Sequence, residues 1–98
     1  MAHKLYRVVT FGIVGDYKLS ISFDDGVTTT VNFESILIGP QYGPLQELSL
    51  FNQVAIDPIA ATLTWPNGAD FDPETLRHWG KYKELLRERL KMVQPELL

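Results

Sequence analysis

The chain has 98 residues, 45% hydrophobic and 21% charged, with no cysteine and a formal net charge of −3, which indicates one globular domain over residues 1–98. The absence of cysteine excludes disulfides, thiolate catalysis and cysteine-ligated metals from this chain. No apolar run approaches the ~18 residues that cross a bilayer, and residues 1–7 lack the apolar region of a signal peptide, so we expect a cytoplasmic protein with no membrane contact.

The first predicted elements are two strands joined by a tight turn. Residues 5–14 are rich in β-branched and aromatic side chains, which predicts a strand, and Gly15-Asp16 suits a two-residue hairpin loop. Residues 17–23 alternate apolar and polar side chains, which predicts a second strand with one face toward the core and one toward water.

The turn after the second strand is predicted from the pairing that it permits. A two-residue loop at Asp25-Gly26 would set Phe23 opposite Thr28 and mismatch the apolar faces. A three-residue loop of residues 24–26 matches the apolar faces in three of four pairs, and it places Gly26 at the left-handed position of a bulged turn. The predicted pairs are Phe23 with Val27, Ile21 with Thr29, Leu19 with Val31 and Tyr17 with Phe33.

The middle of the chain holds shorter elements. Residues 34–38 and 45–50 each predict a short helical turn, and residues 39–44 hold two glycines and two prolines, which predicts a loop. Apolar and polar side chains alternate again in residues 51–57, which predicts a strand. Residues 61–65 are its predicted partner, across a turn begun by Asp57-Pro58.

A strand ends and a helix begins within residues 62–74, the most distinctive string in the sequence. Pro66-Asn67-Gly68 stops the strand, because proline lacks the N–H that a ladder needs and Asn-Gly tolerates positive φ. Asp72 is the predicted N-cap of the helix, followed by Pro73 at the first helical position and Glu74 near the positive helix end.

A C-terminal helix is predicted over residues 72–94, with an apolar face of Leu76, Trp79, Leu86, Leu90 and Val93. Gly80 is unfavourable inside a helix and predicts a kink or a close contact there. Because residues 1–71 are mainly β, the predicted fold class is α+β. It has a five- to six-stranded antiparallel sheet of β-hairpins with the helix packed on one face. Two separate antiparallel groups of strands are the alternative arrangement.

Charge is divided unevenly between the predicted sheet and helix. Residues 1–74 carry three basic and nine acidic residues, and residues 75–98 carry six basic and three acidic residues. The simplest interpretation is a basic helix that lies near an acidic sheet, and the alternative is a helix that contacts an acidic partner or nucleic acid. Three glutamates among the six basic residues suit the helix poorly to following phosphates, so the sequence disfavours nucleic acid as the partner.

The titratable residues offer little for catalysis. Asp24, Asp25 and Asp57 fall in predicted turns and Asp72 is at the helix cap, whereas Asp70 has no such position. Its carboxylate could bind a small ligand or act in catalysis. It could also only accept hydrogen bonds from backbone donors of the Asn67-Gly68 turn. His3 and His78 show neither ligand nor general-base spacing. No catalytic string is present, so we expect no enzymatic activity, no cofactor and no metal site.

Aromatic residues are the other candidates for a functional surface. Trp65 ends a predicted strand and Trp79 lies on the predicted helix, so the two would pack together and join the helix to the sheet. If either indole were exposed, it would be an anchor for a protein contact. Tyr42 and Tyr82 are the aromatic residues that we most expect at the surface.

A set of short strings is shared with one known family. The strings are Leu19-Ser-Ile-Ser-Phe-Asp-Asp-Gly26, Val31-Asn-Phe33, Phe51 with Val54 and Ile56-Asp57, and Leu63-Thr-Trp-Pro-Asn-Gly-Ala-Asp70 with Pro73-Glu74. Over residues 5–76 the chain resembles the family called domain of unknown function 2442, and its Trp-Pro-Asn-Gly-Ala-Asp string is the most specific part. The resemblance implies an α+β fold with antiparallel strands and no established catalytic residues.

The same resemblance implies small bacterial or phage proteins, some of them encoded beside a second small protein in an arrangement like a toxin–antitoxin pair. Other members carry an added helix-turn-helix domain, for which one helix after residue 73 leaves no room. Our leading hypothesis is therefore a non-enzymatic protein-interaction module, the antitoxin-like or regulatory partner in a two-gene bacterial system. The alternatives are a nucleic-acid-binding regulator that uses the basic C-terminal helix, and a small-ligand binder or enzyme centred on Asp70.

The hypothesis names specific contact residues. The predicted partner-binding residues are Trp65, Asn67, Asp70, Arg77, Lys81 and Arg87. The nucleic-acid alternative would use Arg77, Lys81, Arg87 and Lys91. A homodimer could also form through the C-terminal helix, by way of Leu86, Leu90 and Val93.

Overall fold

The structure is a computed structural model that describes residues 5–92. Its strands are β1 (Val8–Gly15), β2 (Lys18–Phe23), β3 (Thr28–Asn32), β4 (Ala55–Asp57) and β5 (Thr62–Thr64). Its helices are α1 (Gly39–Tyr42), α2 (Leu48–Phe51), α3 (Pro73–Arg77) and α4 (Trp79–Met92), with 3₁₀ turns at Glu34–Ile36 and Gly43–Gln46. His3, Val93 and the predicted helix end at residue 94 lie outside the described residues. No helix in the described part of the chain is long and apolar enough to cross a membrane.

The predicted α+β class is confirmed, but the predicted single sheet of five to six strands is wrong. β1, β2 and β3 form one antiparallel sheet in that order, and β4 and β5 form a second. Between the sheets, the Val8 N–H donates to the Ala61 carbonyl at 2.9 Å. β4 and β5 have three residues each, and the Val8–Ala61 bond is the only backbone hydrogen bond between the two sheets among residues 5–92, so the strands do not form one continuous ladder.

The predicted register of β2 against β3 is confirmed. Leu19 pairs with Val31, and Ile21 pairs with Thr29. Gly26 has a φ of +86°, the left-handed conformation that the three-residue loop requires. The register places the apolar side chains of both strands on one face, where they are buried.

The first hairpin turns one residue later than predicted. Gly15 pairs with Lys18, so the loop is Asp16-Tyr17, and Tyr17 has a φ of +60°. The Tyr17 ring packs edge-on against Phe51 with 5.4 Å between ring centroids, and its hydroxyl donates to a backbone carbonyl in the second 3₁₀ turn. These contacts between distant segments hold a non-glycine residue in the left-handed region, which local turn signals do not predict.

Residues 39–44, predicted to be a loop, form a helical turn that leads into a 3₁₀ turn. Gly39 has a φ of +83° where the chain enters α1. Pro40 and Pro44 each lie in the first positions of a turn, where a missing N–H costs nothing. The two turns bring Leu45 into the core, where it is fully buried.

The core lies between the first sheet, the second hairpin and α4, and aromatic rings fill its centre. Phe33 contacts four rings at centroid distances of 5.2 to 5.9 Å, those of Phe51, Trp65, Phe71 and Trp79. Trp65 and Trp79 both contact Phe71 as well. The two tryptophans therefore join α4 to the second hairpin through shared neighbours.

The predicted helix over residues 72–94 is divided into α3 and α4. His78 separates them with a φ of −118° and a ψ of 46°, outside the helical region. At this break, the Tyr6 hydroxyl and His78 Nε2 are hydrogen-bonded at 3.1 Å. The bend expected at Gly80 falls two residues earlier, and Gly80 lies within α4.

The predicted start of the helical segment is confirmed. One carboxylate oxygen of Asp72 accepts hydrogen bonds from the N–H groups of Glu74 and Thr75, at 3.0 and 3.3 Å. Pro73 occupies the first turn of α3. Asp72 thus satisfies two of the donors that a helix leaves unpaired at its N-terminus.

Candidate functional site

Trp65, the first of the predicted partner-binding residues, belongs to the core. It is 3% exposed, and its indole Nε1 donates to the Phe51 carbonyl at 2.8 Å. An indole that is buried and hydrogen-bonded inside its own domain offers no surface for a second protein. The structure therefore places Trp65 in the core, the packing role that the sequence analysis expected for it.

The hairpin tip, residues 65–70, is held against α1 by paired hydrogen bonds. Asn67 Nδ2 donates to the Gln41 carbonyl at 3.1 Å, and Gln41 Nε2 reaches the Asn67 carbonyl at 3.5 Å. Asn67 Oδ1 accepts from the Ala69 N–H at 3.1 Å. Gly68, which lies between Asn67 and Ala69 in the turn, has a φ of +91°. Asn67 is exposed, but its side chain is already occupied in closing the turn and binding α1.

Asp70, the remaining candidate in the hairpin tip, has an exposed side chain. The sequence left open that Asp70 accepts hydrogen bonds from backbone donors of the Asn67-Gly68 turn. The Gly68 N–H donates instead to the Trp65 carbonyl at 3.0 Å, and the Ala69 N–H to Asn67 Oδ1 at 3.1 Å. Within residues 5–92 the Asp70 carboxylate makes no hydrogen bond. Its backbone carbonyl accepts from the Tyr42 hydroxyl at 2.7 Å. An exposed and unengaged carboxylate can contact a partner, so Asp70 stays a predicted contact residue.

Tyr42 lies beneath Asp70 and is only partly exposed, unlike the surface residue that we expected. Its ring stacks on Phe71 with 4.7 Å between centroids and 11° between planes. Burial, and secondly the negative charge of Asp70, raise the pKa of the Tyr42 phenol above its ordinary value. The neutral phenol is therefore the favoured form, and its hydroxyl donates a hydrogen bond to the Asp70 carbonyl in the hairpin tip.

Arg77 is held in a contact that the sequence did not reveal. Its guanidinium Nη2 lies 3.0 Å from the Asp25 carboxylate and its Nε donates to the same oxygen at 3.1 Å. The guanidinium carbon lies 5.2 Å from the centre of the Tyr6 ring. Asp25 is in the turn between β2 and β3, 52 positions from Arg77. The pair ties α3 to the first sheet, as expected for a basic segment against an acidic sheet.

Tyr6 and His78 stand next to this ion pair, and a cleft of about 360 Å³ opens beside Tyr6. The cleft is lined by Leu5, Tyr6, Arg7, Ala60, Asp72, Pro73 and Glu74. Its two carboxylates already have partners, since Asp72 caps α3 and Glu74 accepts from the Tyr82 hydroxyl at 2.9 Å. Within residues 5–92, no three His, Asp or Glu residues are grouped so that they could hold a metal ion.

The basic residues of α4 are more open. Lys81 is exposed, with its ammonium 5.1 Å from the centre of the Tyr82 ring, and Arg87 is half-buried. Lys91 lies 3.5 Å from the Glu88 carboxylate. The nucleic-acid hypothesis depends on four basic side chains, and two of them, Arg77 and Lys91, already have acidic neighbours. Lys81 and Arg87 stay predicted contact residues.

The helix residues expected to form a homodimer lie on the inner side of α4. Leu90 is buried, and Leu86 is partly buried against the same core. Val93 falls outside the described residues. Leu85 and Met92 are the exposed apolar side chains of α4 instead. The apolar stripe of the helix is therefore used to close this domain, which removes the basis for a dimer through Leu86 and Leu90.

β1 is the surface that sequence reasoning missed. It is an edge strand, and none of its eight residues is charged. The exposed fractions of Val9, Ile13 and Val14 are 55%, 49% and 56%. The one signal in the sequence was this uncharged run, which lacks the clean alternation of β2. An uncharged edge strand is an available site for pairing with another chain.

The backbone of β1 is also open on its outer side. The Val8 N–H is bonded to the second hairpin, and in the described part of the chain no backbone hydrogen bond leaves that side of residues 9–15. Alternate N–H and C=O groups of an edge strand point away from its sheet. Register shifts mark both ends of the strand, between Val8 and Thr10 and between Ile13 and Gly15.

The apolar face of the first sheet extends past its packed part along β1. Phe11 pairs with Ile21 and Ile13 pairs with Leu19. Ile21 and Leu19 are fully buried, whereas Ile13 is half-exposed and Phe11 is partly buried. Phe11 and Ile13 therefore extend the apolar face of the first sheet to the edge of β1. No part of residues 5–92 covers this face completely there.

The opposite edge of the same sheet is polar. β3 presents Thr28, Thr29 and Thr30 before its buried Val31. Thr28 and Thr30 are exposed, and the Thr28 hydroxyl is hydrogen-bonded to that of Ser22 at 2.8 Å. The two edges of one sheet thus differ in the chemistry that they offer, because hydroxyls favour water and the β1 side chains do not.

A family model described as "Protein of unknown function (DUF2442)" matches residues 8–82. The matched range contains β1 to β5, both hairpins and the first turn of α4. No curated protein and no solved structure matches the chain. The resemblance seen in residues 5–76 is therefore confirmed at the level of the family.

Proposed function

The chain belongs to the DUF2442 family of proteins of unknown function, and we propose that it is a non-enzymatic protein-interaction module. The observation that carries this proposal is the open, uncharged edge of β1. That edge combines unpaired backbone groups on residues 9–15 with half-exposed apolar side chains at Val9, Ile13 and Val14. The element bound there is an extended strand of a partner protein, which pairs with β1.

Strand addition suits this edge for two physical reasons. The backbone of a partner strand satisfies the outward N–H and C=O groups, and its alternate side chains cover Phe11 and Ile13. Each Å² of apolar surface removed from water contributes roughly 25 cal/mol. A partner strand with apolar residues on the inner face would extend the sheet and complete the cover of the core.

The partner is the product of a neighbouring gene, and this chain is the antitoxin-like or regulatory member of the pair. The resemblance supports this assignment, because it implies that some members of the family are encoded beside a second small protein. The predicted secondary contacts are polar residues that are exposed or half-buried: Asn67, Asp70, Arg77, Lys81 and Arg87. Trp65 is removed from that set because it is buried.

Co-purification from the native host tests the proposal. We expect the tagged wild-type chain to recover the product of the adjacent gene, and we expect an Ile13→Lys variant to lose it, because a lysine at the centre of the edge opposes strand pairing. Thr30→Lys places the same charge on the polar edge of the same sheet and serves as the matched control.

Two results would contradict the proposal. One is recovery of no neighbouring-gene product by the wild-type chain. The other is equal recovery by the wild-type chain and by Ile13→Lys, which would place the contact away from β1. Circular dichroism of both lysine variants confirms that they are folded before the comparison is made.

A further inference from the structure

The hairpin tip contains a dipeptide, Asn67-Gly68, that is prone to lose ammonia. Asparagine is a thermolabile residue, and a following glycine has no Cβ that would hinder its backbone nitrogen. The chain has three asparagines, and a glycine follows only Asn67. A phenylalanine follows Asn32 and a glutamine follows Asn52, so both of these have a side chain beside the reacting nitrogen.

The loss of ammonia is a deamidation that needs only water. Base in the solvent takes the proton of the Gly68 backbone nitrogen, which then forms a bond to the side-chain carbon Cγ of Asn67. The Cγ–Nδ2 bond breaks, and Nδ2 takes a proton from the solvent and leaves as ammonia. One water molecule then opens the succinimide ring at either carbonyl, which gives aspartate or isoaspartate at position 67. No oxidation or reduction takes place.

The folded tip holds each reacting group in a hydrogen bond. The nucleophile, the Gly68 N–H, donates to the Trp65 carbonyl at 3.0 Å. The leaving group, Asn67 Nδ2, donates to the Gln41 carbonyl at 3.1 Å. Asn67 Oδ1 accepts from the Ala69 N–H at 3.1 Å. Attack on Cγ requires the Asn67 side chain to turn toward the Gly68 nitrogen, and this movement breaks the bonds that hold the side chain in the turn.

We propose that Asn67 is a modification site that deamidates only when its part of the hairpin tip opens away from α1. Among residues 5–92, the tip is attached to α1 by hydrogen bonds between Asn67 and Gln41 and between Asp70 and Tyr42. Asn67, Gly68 and Asp70 are exposed, so solvent reaches the site as soon as these bonds break. Opening of an exposed turn costs less free energy than global unfolding, so the reaction is slow but takes place in a chain that is otherwise folded.

The product cannot close the tip as asparagine does. A carboxylate has no donor, so an aspartate at position 67 leaves the Gln41 carbonyl without its N–H and places negative oxygens near it. The new charge also lies three positions from the exposed carboxylate of Asp70, and like charges repel. Isoaspartate adds a carbon to the backbone of the turn. Deamidation therefore loosens the tip from α1 irreversibly.

Peptide mass spectrometry of the purified full chain, incubated at mildly alkaline pH, tests the site. In urea we expect Asn67 to be converted before Asn32 and Asn52. In the folded protein we expect its conversion to be at least about tenfold slower, because the tip must open first. An Asn67 that is stable in urea overturns the inference. So does an Asn67 that reacts as fast in the folded protein as in urea.

Two tyrosine variants test whether the attachment to α1 controls the rate. Tyr42→Phe removes the hydroxyl that donates to the Asp70 carbonyl, and Tyr82→Phe removes a hydroxyl that donates to Glu74 instead. In the folded protein we expect Asn67 to react about twofold to tenfold faster in Tyr42→Phe, the range that the loss of one hydrogen bond gives. Tyr82→Phe should react at the wild-type rate. Equal rates in the two variants would contradict opening of the tip.

An aspartate variant tests the effect of the product. We expect Asn67→Asp to lower the melting temperature, because it removes the donor to the Gln41 carbonyl. Asn32→Asp makes the same change of charge where only an acceptor is used, since Asn32 Oδ1 accepts from the Glu34 N–H at 2.9 Å. This control should melt close to the wild type. An Asn67→Asp variant as stable as Asn32→Asp would overturn the loosening of the tip. None of these measurements involves a partner protein, so they are independent of the proposed function.

Discussion

The hairpin tip at residues 65–70 and the edge of β1 are opposite kinds of surface. In the tip, the Trp65 indole and the Asn67 amide are bonded within the domain, and Gly68 closes the turn in a left-handed conformation. Along residues 9–15, the outer backbone groups and several apolar side chains are open. The difference shows that much of the most distinctive string is built into the fold, while a plain strand keeps its outer edge open.

The largest expected effect separates the two regions by stability. Trp65→Ala removes a buried ring and its bond to Phe51, and it should lower the free energy of unfolding by about 3–5 kcal/mol. Ile13→Ala truncates a half-exposed residue and should cost about 1 kcal/mol or less. Urea denaturation measures both values, and similar losses for the two variants would refute the contrast.

Matched glycine substitutions sharpen the contrast at the level of the backbone. Gly68→Ala forces an alanine into a φ of +91° and should destabilise the protein by about 1–2 kcal/mol. Gly12 needs no positive φ and has open space around its Cα, so Gly12→Ala should change stability little or raise it by up to about 1 kcal/mol. Thermal unfolding measures the change in stability of each variant. A clear loss of stability in both variants would contradict the contrast.

The same distinction applies to the basic residues. Arg77→Ala breaks the pair with Asp25, in which both side chains are less than one-fifth exposed, and should cost about 1 kcal/mol. Lys81→Ala removes an exposed side chain and should leave the unfolding curve within about 0.5 kcal/mol of wild type. If Lys81 proved as important as Arg77 for stability, the assignment of Arg77 to the fold would lose its basis.

The smallest expected effect depends on pH. The pKa of Tyr42 lies above its ordinary value of 10.0, first through burial and then through the charge of Asp70. Because the folded state favours the neutral phenol, this stabilisation is complete below pH 10 and is lost as the pH rises through the raised pKa. Tyr42→Phe should lack this alkaline loss, and Asp70→Asn should retain most of it. Unfolding free energies measured on both sides of pH 10 test the prediction, and an unchanged slope in Tyr42→Phe would refute it.

Local structure could be predicted because its causes are close together in the sequence. The register of β2 against β3 follows from the apolar alternation and from Gly26, and the start of α3 follows from Asp72 and Pro73. Each of these features depends on residues a few positions apart, or on a single turn whose length has few options. The family was identified for a related reason, since its shared strings lie at these same turns and strand ends.

The candidate site could not be predicted in the same way. The sequence around Trp65 does not distinguish a buried indole from an exposed one. The burial of Trp65 depends on Phe33 and Phe71, which lie elsewhere in the fold. The ion pair of Arg77 with Asp25 spans 52 positions. Tyr17 and His78 depart from the predicted turn and helix where distant groups hold them, and no local pattern contains those groups.

The sequence by itself determined where the strands lie, apart from the predicted strand over residues 51–57, of which only Ala55–Asp57 is a strand. It also determined which turn joins β2 to β3 and where the helical segment starts, because neighbouring side chains and backbone preferences suffice for these. Only the tertiary structure decided that the strands form two sheets and that β1 lies at an edge. A strand has the same internal pattern at the centre of a sheet as at its margin, and the difference is whether another backbone lies beside it. For this protein, that neighbour is what separates the completed second hairpin from the open edge of β1.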